Sequence, residues 1–143
     1  MLLCLPSFCP ADPSQTLNHQ VHSAVPRKIL LVEDDAMSGQ ALGHLVATFG
    51  YESSWVANGR DALQAVTHFS YDGVLLDLVL PDIKGIDLLK KVRELHPTIP
   101  ILITSGHETL ATTALAEGAQ GFLFKPIDAH SLQRQMTQWF GVP

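Results

Sequence analysis

The stretch Tyr71-Asp72-Gly73-Val74-Leu75-Leu76-Asp77-Leu78-Val79-Leu80-Pro81-Asp82 decides how this chain folds. Val74 to Leu76 is a short apolar run of the kind that forms a buried strand. It ends at an acid, Asp77. The apolar residues continue to Pro81, which has no amide hydrogen to give a sheet and so breaks the strand. A carboxylate at the end of a buried strand costs free energy unless something compensates it. Asp77 is therefore either a structural acid paired with a nearby donor or a reactive or metal-binding group. The stretch alone leaves both open.

Four more segments read as strands. Ile29 to Val32 is a continuous apolar run that ends in Glu33-Asp34-Asp35. Glu52 to Val56 follows, then, beyond the central stretch, Pro100 to Thr104, which ends in Ser105-Gly106-His107. Gly121 to Phe124 is the last and ends in Lys125-Pro126. Helical periods separate them. Residues 36–49 place Met37, Ala41, Leu45 and Val46 on one face, with Asp35 as the N-cap and Gly50 as the stop. Gly39 and Gly43 inside that helix each cost about 1 kcal/mol against Ala, which close packing on the sheet would explain. Helices are also expected over 60–69, 84–95 and 108–117, and from the cap Asp128 to about Phe140. Lys84, Lys90, Lys91 and Arg93 read as a wet helix face, and lone acids such as Asp82 and Asp87 as solvated surface.

Strands alternating with helices imply an α/β fold: a doubly wound, five-stranded parallel sheet covered on both faces by five helices. In such sheets ligands bind beyond the carboxyl ends of the strands. Four of the strands carry polar residues there: Glu33 and Asp34, Asp77, Ser105 and Lys125. Three carboxylates brought together repel one another unless a cation sits among them. Oxygen ligands with little else suit Mg²⁺, with Mn²⁺ as a substitute. Lys125 offers a point charge and Ser105 a hydroxyl for phosphoryl oxygens. The set fits phosphoryl transfer to a carboxylate. Asp35 reads as a helix cap rather than a ligand, and the histidines show no zinc spacing.

Composition narrows the class. An apolar content of 46% with 16% charged residues describes a globular domain, not a disordered chain. A net charge of −5 argues against a nucleic-acid surface. The two cysteines, Cys4 and Cys9, lie in a proline-containing N-terminal stretch, so they build neither a core disulfide nor a metal site. Residues 1–26 read as a flexible, dispensable leader and 27–143 as the globular domain. No apolar run reaches membrane-spanning length.

From Lys28 to Phe140 the ordered set Ile29-Leu30-Leu31-Val32-Glu33-Asp34-Asp35, Asp77 with Pro81 and Gly85, Ser105-Gly106 and Lys125-Pro126 resembles the receiver domain of two-component response regulators. The resemblance implies the flavodoxin-like, chemotaxis-regulator-like fold with strand order 2-1-3-4-5. It also implies a phospho-acceptor at Asp77. Asp34 would be a direct Mg²⁺ ligand, Glu33 a ligand acting mainly through water, and the Val79 backbone carbonyl a further ligand. Ser105 and Phe122 fall on the switch positions and Lys125 on the family's lysine, followed by a commonly cis proline bond. The segment from Ser105 to Gly118 is shorter than the usual pattern by about two residues, which would trim the fourth helix or the loop before it. Val79 and His107 border the pocket and are expected to alter phosphoryl lifetime.

The expected function is a phosphorylation-dependent switch that takes its phosphoryl group from a histidine kinase or His-phosphotransfer protein. It would be cytoplasmic and not an enzyme. No output domain, nucleic-acid binding or membrane contact is expected in this chain, and it would be a monomer or a weak phosphorylation-dependent dimer. An aspartyl-phosphate hydrolase of the haloacid dehalogenase type would need an acid where Val79 stands. A flavodoxin-like binding module would need a phosphate loop where Glu33-Asp34-Asp35 stands.

Overall fold

The computed structural model describes residues 25–143. The leader, 1–26, therefore lies outside the described residues except for its last two positions, and Cys4 and Cys9 lie outside them altogether. The chain alternates β1 (Lys28–Val32), α1 (Ala36–Thr48), β2 (Glu52–Val56), α2 (Gly59–His68), β3 (Gly73–Asp77), α3 (Gly85–Leu95), β4 (Ile101–Ser105), α4 (Thr109–Ala116), β5 (Gly121–Phe124) and α5 (Ala129–Phe140). All pairings are parallel, in the order β2-β1-β3-β4-β5. The fourth helix has eight residues.

The unbroken apolar runs follow from a sheet buried on both faces. Successive side chains point to opposite sides. Leu30, Val32, Val74 and Leu76 face one core, which α2, α3 and α4 cover through residues such as Val66, Leu89 and Ala114. Ile29, Leu31 and Leu75 face the other, closed by Leu42 and Val46 of α1 and by Leu132, Met136 and Phe140 of α5.

Helix α1 is rotated from its expected setting. Met37 and Ala41 face solvent, and the buried stripe is Gly39, Leu42 and Val46. The reason is Trp55 on β2. Its indole lies against Gly39, where a Cβ would collide with the ring. The glycine thus brings the helix close to the sheet, and the stripe turns to follow it. The expected cap holds: Asp35 accepts from the Ser38 amide at 2.9 Å.

Two surface assignments are corrected. Asp82 is not merely solvated: its carboxylate accepts from the amides of Gly59 at 2.8 Å and Arg60 at 2.9 Å, capping α2 from the β3–α3 loop. Those two amides hold its carboxyl below the usual carboxylate range. Arg93 leaves the wet face of α3. Its guanidinium donates to the carbonyls of His96, Pro97, Ile99 and Gly118 and to the Gln120 side chain. It ties the amino-terminal side of β4 to the end of α4.

The β3–α3 loop is fixed at its far end by Gly85, whose amide donates to the Leu78 carbonyl at 3.1 Å. A Cβ on Gly85 would strike the Leu78 backbone itself. Gly85→Ala gains at most about 1 kcal/mol of helix propensity. Overpacking against rigid backbone costs about 1–3 kcal/mol. A net loss of stability is expected in chemical denaturation, and a stabilised variant would refute the close approach. For Asp82 the sign follows from its depressed folded-state value. Its stabilisation is present above the unfolded carboxylate range and is lost as pH falls through the folded value. Asp82→Asn should lower the melting temperature at pH 7, and the gap to wild type should close on acidification.

Candidate phosphoryl-acceptor and cation site

Strand order places the site. The chain leaves β1 for β2 on one side and then crosses back past β1 to β3 on the other, so a crevice opens between β1 and β3 at their carboxyl ends. Glu33 and Asp34 directly follow β1, and Asp77 is the last residue of β3. Lys125 directly follows β5, and its ammonium group reaches across the edge.

The Lys125 Nζ donates to Glu33 Oε2 at 2.8 Å and to Asp77 Oδ2 at 2.9 Å. The Val79 amide donates to Asp77 Oδ1 at 3.0 Å, so both oxygens of the buried Asp77 are held. Glu33, also buried, accepts a longer bond from the Asp35 amide at 3.3 Å. Its backbone is fixed on both sides: its amide donates to the Val56 carbonyl and its carbonyl accepts from the Trp55 indole. Asp34 is exposed at the mouth of the crevice.

Negative charge is in excess here. Three carboxylates, Glu33, Asp34 and Asp77, bring oxygens within 4.8 Å of one another, and Lys125 offsets one of them. Burial raises the Glu33 carboxyl above its ordinary range; the Lys125 hydrogen bond opposes this, and the Asp77 charge adds to it. For Lys125, burial acts to lower its value. The hydrogen bonds it donates to Glu33 and Asp77 and the charges of those acids outweigh it, and the ammonium is held above its ordinary range. A site with more acid than base holds its protons tightly. The two remaining negative charges match one divalent cation, and hard carboxylate oxygens are the donors that Mg²⁺ selects. The donor set therefore fits the cation expected from the sequence.

Ser105, at the end of β4, is fully buried. Its carbonyl accepts from the Lys125 amide at 3.0 Å, and its hydroxyl accepts from the His107 amide at 3.0 Å. Among the described residues this hydroxyl has no hydrogen bond to Asp77. Ser105 thus lies at the right edge but is engaged with its own loop. His107 contributes its backbone, and its side chain is exposed. Phe122 pairs in register with Ile103, is half-buried against the core covered by α2, α3 and α4, and has its ring centroid 4.9 Å from that of Phe124. The Lys125–Pro126 bond is cis.

Residues 29–137 match the model of the response regulator receiver domain. This chain belongs to that family. Among curated relatives, it is 36% identical over 105 residues to the luminescence regulatory protein LuxO of Vibrio campbellii, covering 72% of this chain and 23% of the relative. It is 36% identical over 101 residues to the transcriptional regulatory protein QseB of Haemophilus influenzae, covering 69% of this chain and 46% of the relative. The receiver domain thus spans a quarter to a half of those regulators. Among solved structures, a putative response regulator from Chloroflexus aurantiacus superposes with a TM-score of 0.78 at 30% identity, covering 81% of this chain and 98% of that one. The receiver domain of a sensor histidine kinase from Pseudomonas aeruginosa PAO1, described with a magnesium ion coordinated in its active site cleft, gives 0.76 at 26% identity, covering 82% and 99%.

The sequence named the acids, the serine and the lysine of this edge. It missed Trp55, whose indole nitrogen reaches the Glu33 carbonyl. The available signal was a glycine in mid-helix, Gly39, which left room for a large partner.

Removing the lysine leaves buried acids without their cationic partner. Lys125→Met should destabilise the domain by about 3 kcal/mol, in the range seen when one member of a buried pair is lost. Denaturant melts would show it; an unchanged midpoint would mean the two acids are solvated or protonated.

Proposed function

We propose that this receiver domain accepts a phosphoryl group on Asp77 from the phosphohistidine of a histidine kinase or His-phosphotransfer protein. The observation that carries the reading is a buried strand-end carboxylate bridged to a lysine beside an acidic pair, in a chain of the receiver family. In the transfer an Asp77 oxygen bonds to phosphorus while the phosphorus–nitrogen bond breaks. The electron pair leaves with the imidazole nitrogen, and the aspartate becomes an acyl phosphate.

The side chains of Glu33, Asp34 and Asp77 and the Val79 carbonyl would hold Mg²⁺ or Mn²⁺, Asp34 directly and Glu33 mainly through water. A bound divalent cation supplies neutralisation of charge on the phosphoryl oxygens. Lys125 already donates to one oxygen of Asp77 and is placed to pair with the added group. Ser105 would exchange its bond from the His107 amide for one to a phosphoryl oxygen. That exchange would loosen the loop before α4, and Phe122 would settle further into the space beside β5. The phosphoryl group brings about two negative charges to the edge, enough to drive such a rearrangement.

The domain itself is a signalling switch, with residues 27–143 as the receiver unit, 1–26 as a dispensable leader, and a monomer or weak phosphorylation-dependent dimer as its state. Among the described residues no helix is long and apolar enough to cross a membrane, and a cytoplasmic setting suits a kinase-fed acceptor.

Two experiments test the site. A small phosphodonor with Mg²⁺ should add one phosphoryl group, seen by mass, that hydroxylamine removes and Asp77→Asn abolishes. A base-stable adduct, or one on Ser or His, would overturn the assignment. In an NMR titration wild type should bind Mg²⁺ at millimolar strength, since Mg²⁺ sheds water reluctantly. Asp34→Asn should weaken it more than Glu33→Gln; equal loss would contradict the direct and indirect roles.

A further inference from the structure

Asp34 is the acid of the site with the least support. It is exposed, and no hydrogen bond holds its carboxylate among the described residues. Its position is inherited from the backbone on either side. On the far side, Asp35 caps α1 through the Ser38 amide at 2.9 Å, which fixes the start of the helix. On the near side, among the described residues, the peptide joining Glu33 to Asp34 is held by one bond, from Trp55 Nε1 to the Glu33 carbonyl at 2.8 Å.

That bond has its own supports. Trp55 stands in register with Leu31 on the edge strand β2, two positions before Glu33. The neighbouring Val56 carbonyl takes the Glu33 amide at 3.1 Å, so β2 grips both polar groups of the Glu33 backbone. The indole needs room over α1, and Gly39 provides it, since any Cβ there would meet the ring. An edge-strand indole that only covered apolar surface could point its nitrogen to solvent. This one is 37% exposed, yet it turns its N–H inward to the acid-bearing turn.

We propose that Trp55 is a positioning residue for the cation site: its indole N–H fixes the Glu33–Asp34 peptide and so aims the Asp34 carboxylate. The proposal rests on the reading of Glu33 and Asp34 as cation-holding acids. Trp55 touches no reacting group. Its effect reaches the site through a single backbone carbonyl, and Gly39 is the seat that makes the contact possible.

The test measures Mg²⁺ affinity by NMR titration of backbone amides in wild type and Trp55→Phe, with the thermal melt of each recorded in parallel. Phe keeps an aromatic ring on β2 and removes the donor. Affinity should fall about 3- to 10-fold, the weight of one hydrogen bond, with the amide shifts of residues 33–35 altered before any cation is added. If Trp55→Phe does not fold, benzothienylalanine at position 55 serves instead, because it replaces only the N–H by sulfur and keeps the ring's shape. Adding Gly39→Ala to wild type should reproduce the affinity loss by displacing the ring. A variant that melts lower but binds Mg²⁺ as wild type does would overturn the proposal, since Trp55 would then be packing alone. Wild type without a saturable Mg²⁺ response would overturn the reading of the site and this proposal with it.

Discussion

The structure depends on gathering carboxylates at the carboxyl edge of a parallel sheet, with one lysine arriving from the far side to hold two of them. Glu33 and Asp77 end neighbouring strands, and each is nearly devoid of water. Two buried acids that close would not both stay ionised without compensation. Lys125 supplies it from the end of β5, two strands away from β3. The ion pairs therefore couple the first, third and fifth strands across the sheet. They also leave the edge short of positive charge, and this deficit gives the site its affinity for a cation.

The rest of the scaffold sets the position of those few atoms. The two cores fix the strand ends, because alternation along each strand leaves no freedom of register once both faces are buried. The loops then aim the side chains. The turn after β3 is held by the approach of Gly85 to Leu78 and by Asp82, which caps a different helix. The turn after β1 is held by the Asp35 cap and by the indole of Trp55. Each of these loops is fixed by contacts to another element, as a site needs if its carboxylates are to hold one geometry. The turn after β4 is different. Ser105 is bonded to the amide two residues on, within its own loop, so that turn can rearrange without breaking a tertiary contact of the serine hydroxyl.

Much of this was legible in the sequence. Local apolar runs and stops located every strand and helix within a residue or two. The parallel arrangement then brought Glu33, Asp34, Asp77, Ser105 and Lys125 to one edge. What was not legible shares one physical character. The setting of α1, the capping by Asp82, the buried bonds of Arg93 and the seat of Trp55 on Gly39 are contacts between elements distant in sequence. Met37 looked like core because periodicity counts hydrophobic side chains, whereas the face that packs is the one where glycine lets the helix approach. Asp82 looked like surface because its partners, the amides of Gly59 and Arg60, are backbone groups that no side-chain pattern reveals. Arg93 looked wet because its acceptors are carbonyl oxygens, and among the described residues it forms no ion pair with an acid that would announce a buried role.

The uneven fixing of the three loops has a consequence for how a charge at Asp77 would be felt. Helix α4 is short and enters the fold through the one loop whose serine is held locally. At its other end it is clamped, because Arg93 donates to the Gly118 carbonyl and the Gln120 side chain while also gripping the segment before β4. Lys90 adds only a long contact to Glu117, at 3.9 Å and in solvent, worth little. A pull on Ser105 would therefore act on the end of the helix opposite the Arg93 clamp, where Leu110 packs on the core and its amide donates to the His107 carbonyl. Rotation about the Arg93 clamp requires less disruption than translation of the whole helix, since translation would strip a half-buried guanidinium of acceptors that water could not readily replace. If Asp77 takes the proposed phosphoryl group, this geometry would favour a tilt of α4, largest near Leu110 and smallest near Gly118, over a translation.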